Sequence, residues 1–222
     1  LLIGSMLNAQ NELIIPLATS IELLHTATLV HDDLIDGSLL RRGKPTLNSK
    51  WSPAATVLTG DFIFASAANM TTRTNSLEVM GLFSRTLMTI VNGEVNQLFT
   101  SHCSTDINDY YRRIYAKTAS LFETSTHTAA IVSKVDEHQV ELLRKFGYEI
   151  GMAFQIVDDI LDYTGDQSTV GKPVGGDLRQ GLITLPMIHY IEDHPRSPEI
   201  ISLLHGQCIQ DEDVLQRLVE AV

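Results

Sequence analysis

The chain has 222 residues, 44% of them hydrophobic and only 7 of them proline, which is enough for one large domain with a substantial core. Its formal net charge of −11 argues against nucleic acid as a partner, because binding a phosphate backbone needs clustered positive charge. An anionic ligand would therefore need metal ions as intermediaries.

The sequence indicates the cellular location only indirectly. The two cysteines, Cys103 and Cys208, lack metal-ligand spacing and give no disulfide framework, which favours a reducing compartment and hence the cytoplasm. No signal peptide is visible. The apolar region at 13–30 is interrupted by Glu22 and His25, so we expect no membrane span.

The first complete helix is predicted over residues 12–37. Its apolar positions step by three and four along one stripe, which consists of Ile14, Leu17, Ile21, Leu24 and Thr28. The stripe continues directly into Asp32 and Asp36. An apolar face that runs into carboxylates is typical of an apolar channel with a charged mouth.

Asp32 and Asp36 are four residues apart, so both carboxylates leave the same face of the helix. Like charges repel, and a divalent cation is the usual reason for such a pair; oxygen ligands favour a hard ion such as Mg²⁺. Taken alone, this segment fits a solvated acidic helix end equally well. A second copy of the pattern, with Asp158, Asp159 and Asp162, makes that interpretation harder to keep.

A basic loop follows the first acidic segment. Gly37 is expected to end the helix, and the loop at 38–50 carries Arg41, Arg42 and Lys44. The loop could simply be a solubilising surface. A pair of arginines so close to an acidic cluster can also bind an anion that metal ions hold.

The rest of the chain is predicted to be helical, with a glycine-rich loop at 165–181. The predicted helices cover residues 52–72, 77–100, 107–133, 136–162, 184–193, 197–205 and 211 onward. No alternating stretch is long enough for a strand. We therefore predict an all-α, single-domain helical bundle over residues 1–222, in which the two acidic helix ends face each other across a central cavity.

Three further residues stand out beside the acidic segments. Lys117 and Thr118 lie in the middle of the helix predicted at 107–133, and Lys172 lies in the glycine-rich loop. Lys117 also fits an ordinary surface lysine. Together with the two arginines, the two lysines would ring a carboxylate-walled site for magnesium above an apolar cavity. The ligand that fits such a site is a diphosphate with a long hydrocarbon tail.

The chain resembles the trans-isoprenyl diphosphate synthases, also called polyprenyl synthases. The motifs that carry the resemblance occur in the family's order and read DDLIDGSLLRRGKPT, GEVNQ, KTASLF, FQIVDDILD, GKPVGGDL and TLP. The resemblance implies the helical isoprenoid-synthase fold, a homodimer, and head-to-tail condensation of an allylic prenyl diphosphate with isopentenyl diphosphate. It also implies Mg²⁺ as the cofactor, with three ions brought together with the diphosphate.

The resemblance assigns the metal-binding side chains motif by motif. Asp32 and Asp36 would bind magnesium on one wall of the site and Asp158 on the other, with three more carboxylates in support: Asp33, Asp159 and Asp162.

The resemblance also assigns the diphosphate and carbocation contacts. Arg41 would contact the allylic diphosphate and Arg42 the isopentenyl diphosphate. Lys117 and Lys172 would hold the leaving diphosphate. The remaining assignments are catalytic: Thr118 and Gln155 would stabilise the allylic carbocation with their oxygen atoms.

Two departures from the family's pattern are visible. Leu182 stands where the family often has a lysine, which removes one diphosphate contact. We also expect residues 1–222 to lack the family's N-terminal and C-terminal segments, and with them part of the isopentenyl diphosphate site.

Product length is predicted from the residues four and five places before the first acidic motif. In this family a bulky residue there acts as a floor, and here these places hold Thr28 and Ala27. We therefore expect a medium- or long-chain polyprenyl diphosphate rather than a geranylgeranyl one. The alternatives are a geranylgeranyl diphosphate synthase, a terpenoid cyclase, a non-catalytic subunit of a heteromeric synthase, and a metal-binding bundle without chemistry.

Overall fold

The computed structural model describes residues 1–99, 103–165, 175–204 and 211–222, and this part of the chain is helical apart from one short hairpin. The helices are α1 Leu2–Met6, α2 Asn11–Ile35, α3 Pro53–Thr72, α4 Leu77–Phe99, α5 Ile107–Ile114, α6 Ser120–Val132, α7 Glu137–Thr164, α8 Gly176–Arg179, α9 Leu185–Asp193, α10 Pro198–Leu204 and α11 Glu212–Ala221. The π-helical turn Tyr115–Ala119 joins α5 to α6. The prediction of an all-α fold is confirmed.

Two helix starts are fixed by the side chains of the residues at which the sequence predicts these helices to begin. The Ser52 hydroxyl accepts a hydrogen bond from the Ala55 N–H, and Pro53 occupies the first helical position of α3. At the start of α7 the Asp136 carboxylate accepts from the Gln139 N–H at 2.8 Å. These local contacts explain why the predicted starts agree with the observed ones to within a residue or two.

The hairpin β1 Leu40–Arg41 and β2 Lys44–Pro45 was not predicted, since each strand has only two residues. Its turn residues, Arg42 and Gly43, have φ angles of 51° and 72°. Positive φ at both positions is the geometry of a type I′ turn, which matches the twist of paired strands.

The described helices fall into two compact units. Unit 1 consists of Leu1–Leu87 and Glu123–Gly147, and unit 2 of Met88–Phe122 and Tyr148–Val222. The single domain over residues 1–222, and the meeting of the two acidic helix ends across a cavity, stay predictions.

Unit 1 is organised by the packing of α2 on α3. The buried hydroxyl of Ser20 donates to the Ala67 carbonyl at 2.9 Å and also bonds the Thr71 hydroxyl. Nearer the acidic end of α2, a Cβ on Gly60 would lie 2.1 Å from the His31 ring nitrogen. A side chain at position 60 would therefore require the His31 ring to move. The core of the unit is completed by Ile14, Leu17, Val79, Ala129 and Val132.

Unit 2 has the larger apolar core. Its fully buried members come from several helices and from the segment before α9, and they include Tyr110, Ile183, Met187, Ile200 and Leu203. Burying one side chain of this size stabilises the fold by roughly 1.5–3 kcal/mol. This core packs around α5 and α9, and it holds the helices that carry the second acidic segment.

Helix α2 is also long and apolar enough to cross a membrane, with a mean hydropathy of 1.6 over its best window. Core helices of globular proteins pass the same test. Here Leu17, Leu24 and Ala27 are buried against other helices of the chain. The expectation of no membrane span stays a prediction.

One expectation about the cysteines is not met. Cys103 is buried, its N–H donates to the Gly181 carbonyl at 2.8 Å, and its sulfur is in a disulfide bond. The cysteines therefore no longer support a reducing compartment, and the cytoplasmic location stays a prediction without that support.

Candidate functional site

The first acidic cluster, Asp32, Asp33 and Asp36, lies at the C-terminal end of α2. Asp33 is buried, and its Oδ1 accepts a hydrogen bond from the Arg41 Nε at 2.8 Å. Asp36 is the C-cap residue and is exposed, whereas Asp32 is half-buried. Arg41 is thus fixed by Asp33, and Asp36 presents its carboxylate to solvent.

Arg42 lies at the tip of the hairpin, next to Arg41. Its side chain is exposed, and its φ of 51° places it in the left-handed region, which large side chains rarely adopt. An asparagine or glycine would occupy this turn position more easily. A guanidinium is therefore presented at the hairpin tip at some cost in backbone energy.

The second acidic cluster, Asp158, Asp159 and Asp162, lies in the last turns of α7. Asp159 is 2% exposed, and its two carboxylate oxygens accept hydrogen bonds from the Tyr110 hydroxyl at 2.7 Å and the Gln155 side-chain amide at 2.8 Å. Asp158 is exposed. This cluster, like the first, therefore combines a buried, hydrogen-bonded carboxylate with an exposed one.

Asp162 uses both of its carboxylate oxygens to bind backbone at the start of α8. Oδ1 accepts from the Gly176 N–H and Oδ2 from the Asp177 N–H, each at 3.1 Å. The Asp162 carbonyl also accepts from the N–H of Gly175, whose φ of 74° turns the chain into α8. Asp162 therefore connects the acidic end of α7 to the segment that follows the glycine-rich loop.

Both acidic clusters oppose the helix dipole. The C-terminal end of a helix carries a partial negative charge, which favours cations and disfavours carboxylates. Neither α2 nor α7 has a basic residue in its last turn. A bound cation would relieve this repulsion at both helix ends.

Charge accumulates further behind the second cluster. Burial, together with the charges of Asp162, Asp159 and Asp158, raises the pKa of the Asp177 carboxyl to about 6. Burial also raises the pKa of Asp159, while the guanidinium of Arg113 acts in the opposite direction on both groups. The neighbouring carboxylates therefore add to burial in disfavouring a charged Asp177, and Arg113 partly compensates them.

The π turn Tyr115–Ala119 carries Lys117 and Thr118, and two glycines let neighbouring helices approach it. A Cβ on Gly93 would lie 2.7 Å from the Ala116 Cβ, and one on Gly151 would lie 2.6 Å from the Ala119 Cα. The carboxylate of the next residue of α4, Glu94, lies 3.4 Å from the Lys117 Nζ. One turn after Gly151, the Gln155 Oε1 accepts from the Thr118 hydroxyl at 2.6 Å.

The structure separates the two residues predicted to control product length. Ala27 is fully buried, whereas Thr28 is half-buried and donates its hydroxyl to the His25 carbonyl at 2.7 Å. Leu182 is half-buried, and its N–H donates to the Asp177 carbonyl at 2.9 Å. Lys172 lies outside the described residues.

A cavity of about 570 Å³ lies within unit 2. Its lining includes Gly93 and Gln97 of the GEVNQ motif, Arg113, and Leu182. Among the described residues that line it, neither Gln155 nor Asp158 occurs. The described lining residues also include none from α2, whose apolar stripe carries the predicted channel.

Sequence reasoning missed the groups that hold the second cluster in place. Tyr110 and Arg113 gave no signal, because the groups they contact, Asp159 and the Ile183 carbonyl, lie 49 and 70 positions further along the chain. Asp177 lies in the stretch predicted as a glycine-rich loop, where nothing marks it as part of a site. The spacing of Glu94 gives no functional signal either, although Glu94 forms an ion pair with Lys117, a predicted site residue.

The comparison with known families identifies the group to which the chain is related. The profile of the family described as polyprenyl synthetase matches residues 1–222. The chain belongs to the polyprenyl synthetase family. The resemblance based on its motifs is confirmed, and the fold is the all-α isoprenoid synthase fold.

Two curated members of the polyprenyl synthetase family show how much of the chain is shared. The chain is 38% identical over 206 residues to heptaprenyl diphosphate synthase component 2 of Bacillus subtilis, covering 92% of this chain and 58% of that protein. It is 42% identical over 187 residues to octaprenyl diphosphate synthase of Escherichia coli, covering 83% and 57%. The chain thus spans little more than half the length of these relatives.

A solved family member has the same fold. The polyprenyl synthase of Caulobacter crescentus, crystallised with calcium and isoprenyl diphosphate, superposes with a TM-score of 0.86 at 39% identity. The match covers 98% of this chain and 67% of that structure.

Proposed function

We propose that the protein is a trans-polyprenyl diphosphate synthase, which joins an allylic prenyl diphosphate to isopentenyl diphosphate. The observation that carries the proposal is the shared design of the two acidic clusters. Each cluster has a buried carboxylate that is held by hydrogen bonds, Asp33 in the first and Asp159 in the second. Each also has an exposed carboxylate, Asp36 in the first and Asp158 in the second. Membership of the polyprenyl synthetase family supports it.

The carboxylates fit magnesium ions that arrive together with a diphosphate. Among the described side chains, no three His, Cys, Asp or Glu residues are grouped closely enough to hold a metal ion. Mg²⁺ is commonly bound by one or two carboxylates plus substrate phosphates, so the pair Asp32 and Asp36, and Asp158 in the other cluster, suit it. The calcium in the Caulobacter crescentus relative supports a divalent cation.

The first step breaks the carbon–oxygen bond of the allylic diphosphate, and its electron pair leaves with the diphosphate. Mg²⁺, when bound, supplies Lewis-acid neutralisation of the charge that develops on this leaving group. Arg41, held in place by Asp33, and Lys117, held by Glu94, would add hydrogen bonds from fixed cations. Lys172 is proposed to act with them.

The allylic carbocation left behind needs oxygen atoms nearby without a competing full negative charge. Thr118 and Gln155 supply them as a hydrogen-bonded pair at 2.6 Å. The double bond of isopentenyl diphosphate, bound through Arg42, then attacks the carbocation and forms the new carbon–carbon bond. The departed diphosphate takes the proton whose loss restores a double bond.

A medium- or long-chain product is favoured by the small residues Ala27 and Thr28 before the first acidic cluster. The names of the relatives, heptaprenyl and octaprenyl diphosphate synthases, support the same range. We propose a homodimer in the cytoplasm. The Bacillus subtilis relative is named component 2, which favours one alternative, a heteromeric synthase with a second, different subunit.

Product analysis tests the proposal. The protein at its natural length is incubated with Mg²⁺, labelled isopentenyl diphosphate and allylic primers of graded length, and the products are separated by chain length. We expect label in a series of prenyl diphosphates longer than farnesyl. Cyclised products without label would indicate a cyclase, and no product without an added second subunit would favour the heteromeric alternative.

A further inference from the structure

The most complete unexplained feature is a chain of hydrogen bonds that leads from the predicted carbocation-stabilising pair into the buried core. It runs from the Tyr110 hydroxyl to Asp159 at 2.7 Å, from the Gln155 amide nitrogen to Asp159 at 2.8 Å, and from the Thr118 hydroxyl to the Gln155 oxygen at 2.6 Å. All four residues belong to unit 2. None of the motifs that carry the family resemblance includes Tyr110.

The hydrogen-bond chemistry of these groups fixes the direction of the Gln155 amide. A carboxylate only accepts hydrogen bonds, so the amide end that faces Asp159 must be the NH₂ group. The amide oxygen then faces Thr118, whose hydroxyl donates to it. With the opposite orientation, the NH₂ group would point towards Thr118 and present positive charge where a carbocation has to be stabilised.

Tyr110 keeps Asp159 in the position that holds this orientation. Tyr110 is 1% exposed and Asp159 2%, so water does not replace their hydrogen bond. The Tyr110 ring is itself held, because the Arg113 guanidinium lies 5.7 Å from its centroid and donates to the Ile183 carbonyl at 2.6 Å. The contacts of the ring therefore fix the position from which the Tyr110 hydroxyl donates to Asp159.

We infer that Tyr110 is a positioning residue for the condensation, acting through Asp159 on the orientation of the Gln155 amide and hence on the Thr118–Gln155 pair. The inference rests on the proposed function, because it assigns the pair to carbocation stabilisation. It gives Asp159 a different task from that of Asp158: Asp159 holds the amide, and the exposed Asp158 is left to bind metal.

The test replaces Tyr110 by phenylalanine, which removes only the hydroxyl. We expect kcat to fall between about tenfold and a hundredfold, because a small misplacement of a catalytic group is costly, while the KM of the allylic diphosphate changes little. The magnesium concentration for half-maximal rate should stay unchanged. Tyr111→Phe is the matched control, since Tyr111 is 39% exposed and neighbours the Tyr110 ring at 5.4 Å.

A double-mutant cycle separates positioning from a general structural role. In a Gln155→Ala background, Tyr110→Phe should lower kcat no further, because the amide that it positions is gone. Additive losses would overturn the inference, as would a raised magnesium requirement in Tyr110→Phe. Asp159→Asn is the second variant if Tyr110→Phe does not fold, and it should also lower kcat with an unchanged magnesium requirement.

An independent readout is the side-chain amide signal of Gln155 in a ¹⁵N spectrum, assigned by its loss in Gln155→Ala. Its protons should exchange slowly with solvent in the unaltered protein and at least tenfold faster in Tyr110→Phe. Equal exchange would contradict the inference. If the unaltered protein makes no prenyl diphosphate, the proposed function fails and the inference falls with it; an active unaltered protein with an equally active Tyr110→Phe variant refutes the inference alone.

Discussion

The two acidic clusters have the same spacing and different surroundings. In the first, the buried Asp33 holds a cation, Arg41, from a neighbouring hairpin. In the second, the buried Asp159 holds two neutral groups, Tyr110 and Gln155. The spacing determines which carboxylates share a helix face, but their neighbours determine what each carboxylate does. The first cluster is arranged to present positive charge, and the second to present oriented oxygen atoms.

The largest expected effect is a loss of turnover when Asp158 is replaced. Asp158 is exposed at the end of α7, so Asp158→Asn should leave the unfolding temperature nearly unchanged. Turnover should fall by about 10²–10³-fold, the usual cost of losing one preorganised electrostatic contact. Steady-state kinetics with a magnesium titration measures this loss of turnover. Glu149→Gln is the control, because Glu149 is also exposed on α7. Equal losses in both variants would contradict a special role for Asp158.

The next prediction compares the stability and activity of variants at Asp33 and Asp36 in the first cluster. Asp33→Asn should lower the free energy of unfolding by about 1–3 kcal/mol, because Arg41 loses its buried partner. Asp36→Asn should lower activity without that loss of stability, since Asp36 is exposed. Denaturant titration and kinetics on both variants make the comparison. If Asp36→Asn were the less stable of the two, the division of roles would be wrong.

The two predicted floor residues should differ in how their replacement changes stability and product length. Ala27→Phe should destabilise unit 1 by about 1–3 kcal/mol through overpacking, because Ala27 is fully buried. Thr28→Phe should shorten the products with less loss of stability, since Thr28 is half-buried. Product chain length and the unfolding temperature are measured for both variants. Unaltered products in Thr28→Phe would place the floor elsewhere.

The smallest expected effect concerns the hairpin tip. Arg42→Asn should keep or slightly raise the unfolding temperature, because asparagine adopts the left-handed conformation of this turn more easily than arginine. The KM for isopentenyl diphosphate should rise about tenfold, the equivalent of one lost charge-assisted contact of about 1.4 kcal/mol. Lys44→Asn, on the same hairpin, serves as the control. An unchanged KM would remove Arg42 from the binding site.

Much of the fold and part of the candidate site follow from local patterns. Apolar periodicity and capping residues such as Ser52 and Asp136 predicted the helices, because these signals act within a few residues. The spacing of the aspartates predicted two acidic helix ends. The Tyr110–Asp159 bond joins residues 49 positions apart, so no local pattern could indicate it.

The π turn is the second feature that the sequence could not show. Lys117 and Thr118 were predicted in the middle of a continuous α-helix, and the segment 107–132 is indeed helical throughout. The turn lies where Gly93 and Gly151 allow two helices to come close to Ala116 and Ala119. Such contacts depend on tertiary packing, which propensities do not describe.

The π turn amounts to one extra residue inserted into an otherwise regular α-helix. If the same residues were wound as an ordinary α-helix, the extra residue would rotate every side chain downstream by about 100° relative to those upstream. The predicted site residues Lys117 and Thr118 would then lose their register with Glu94 and Gln155, although no residue had been replaced. The winding of the helix, as well as its composition, is therefore constrained at this point of the chain.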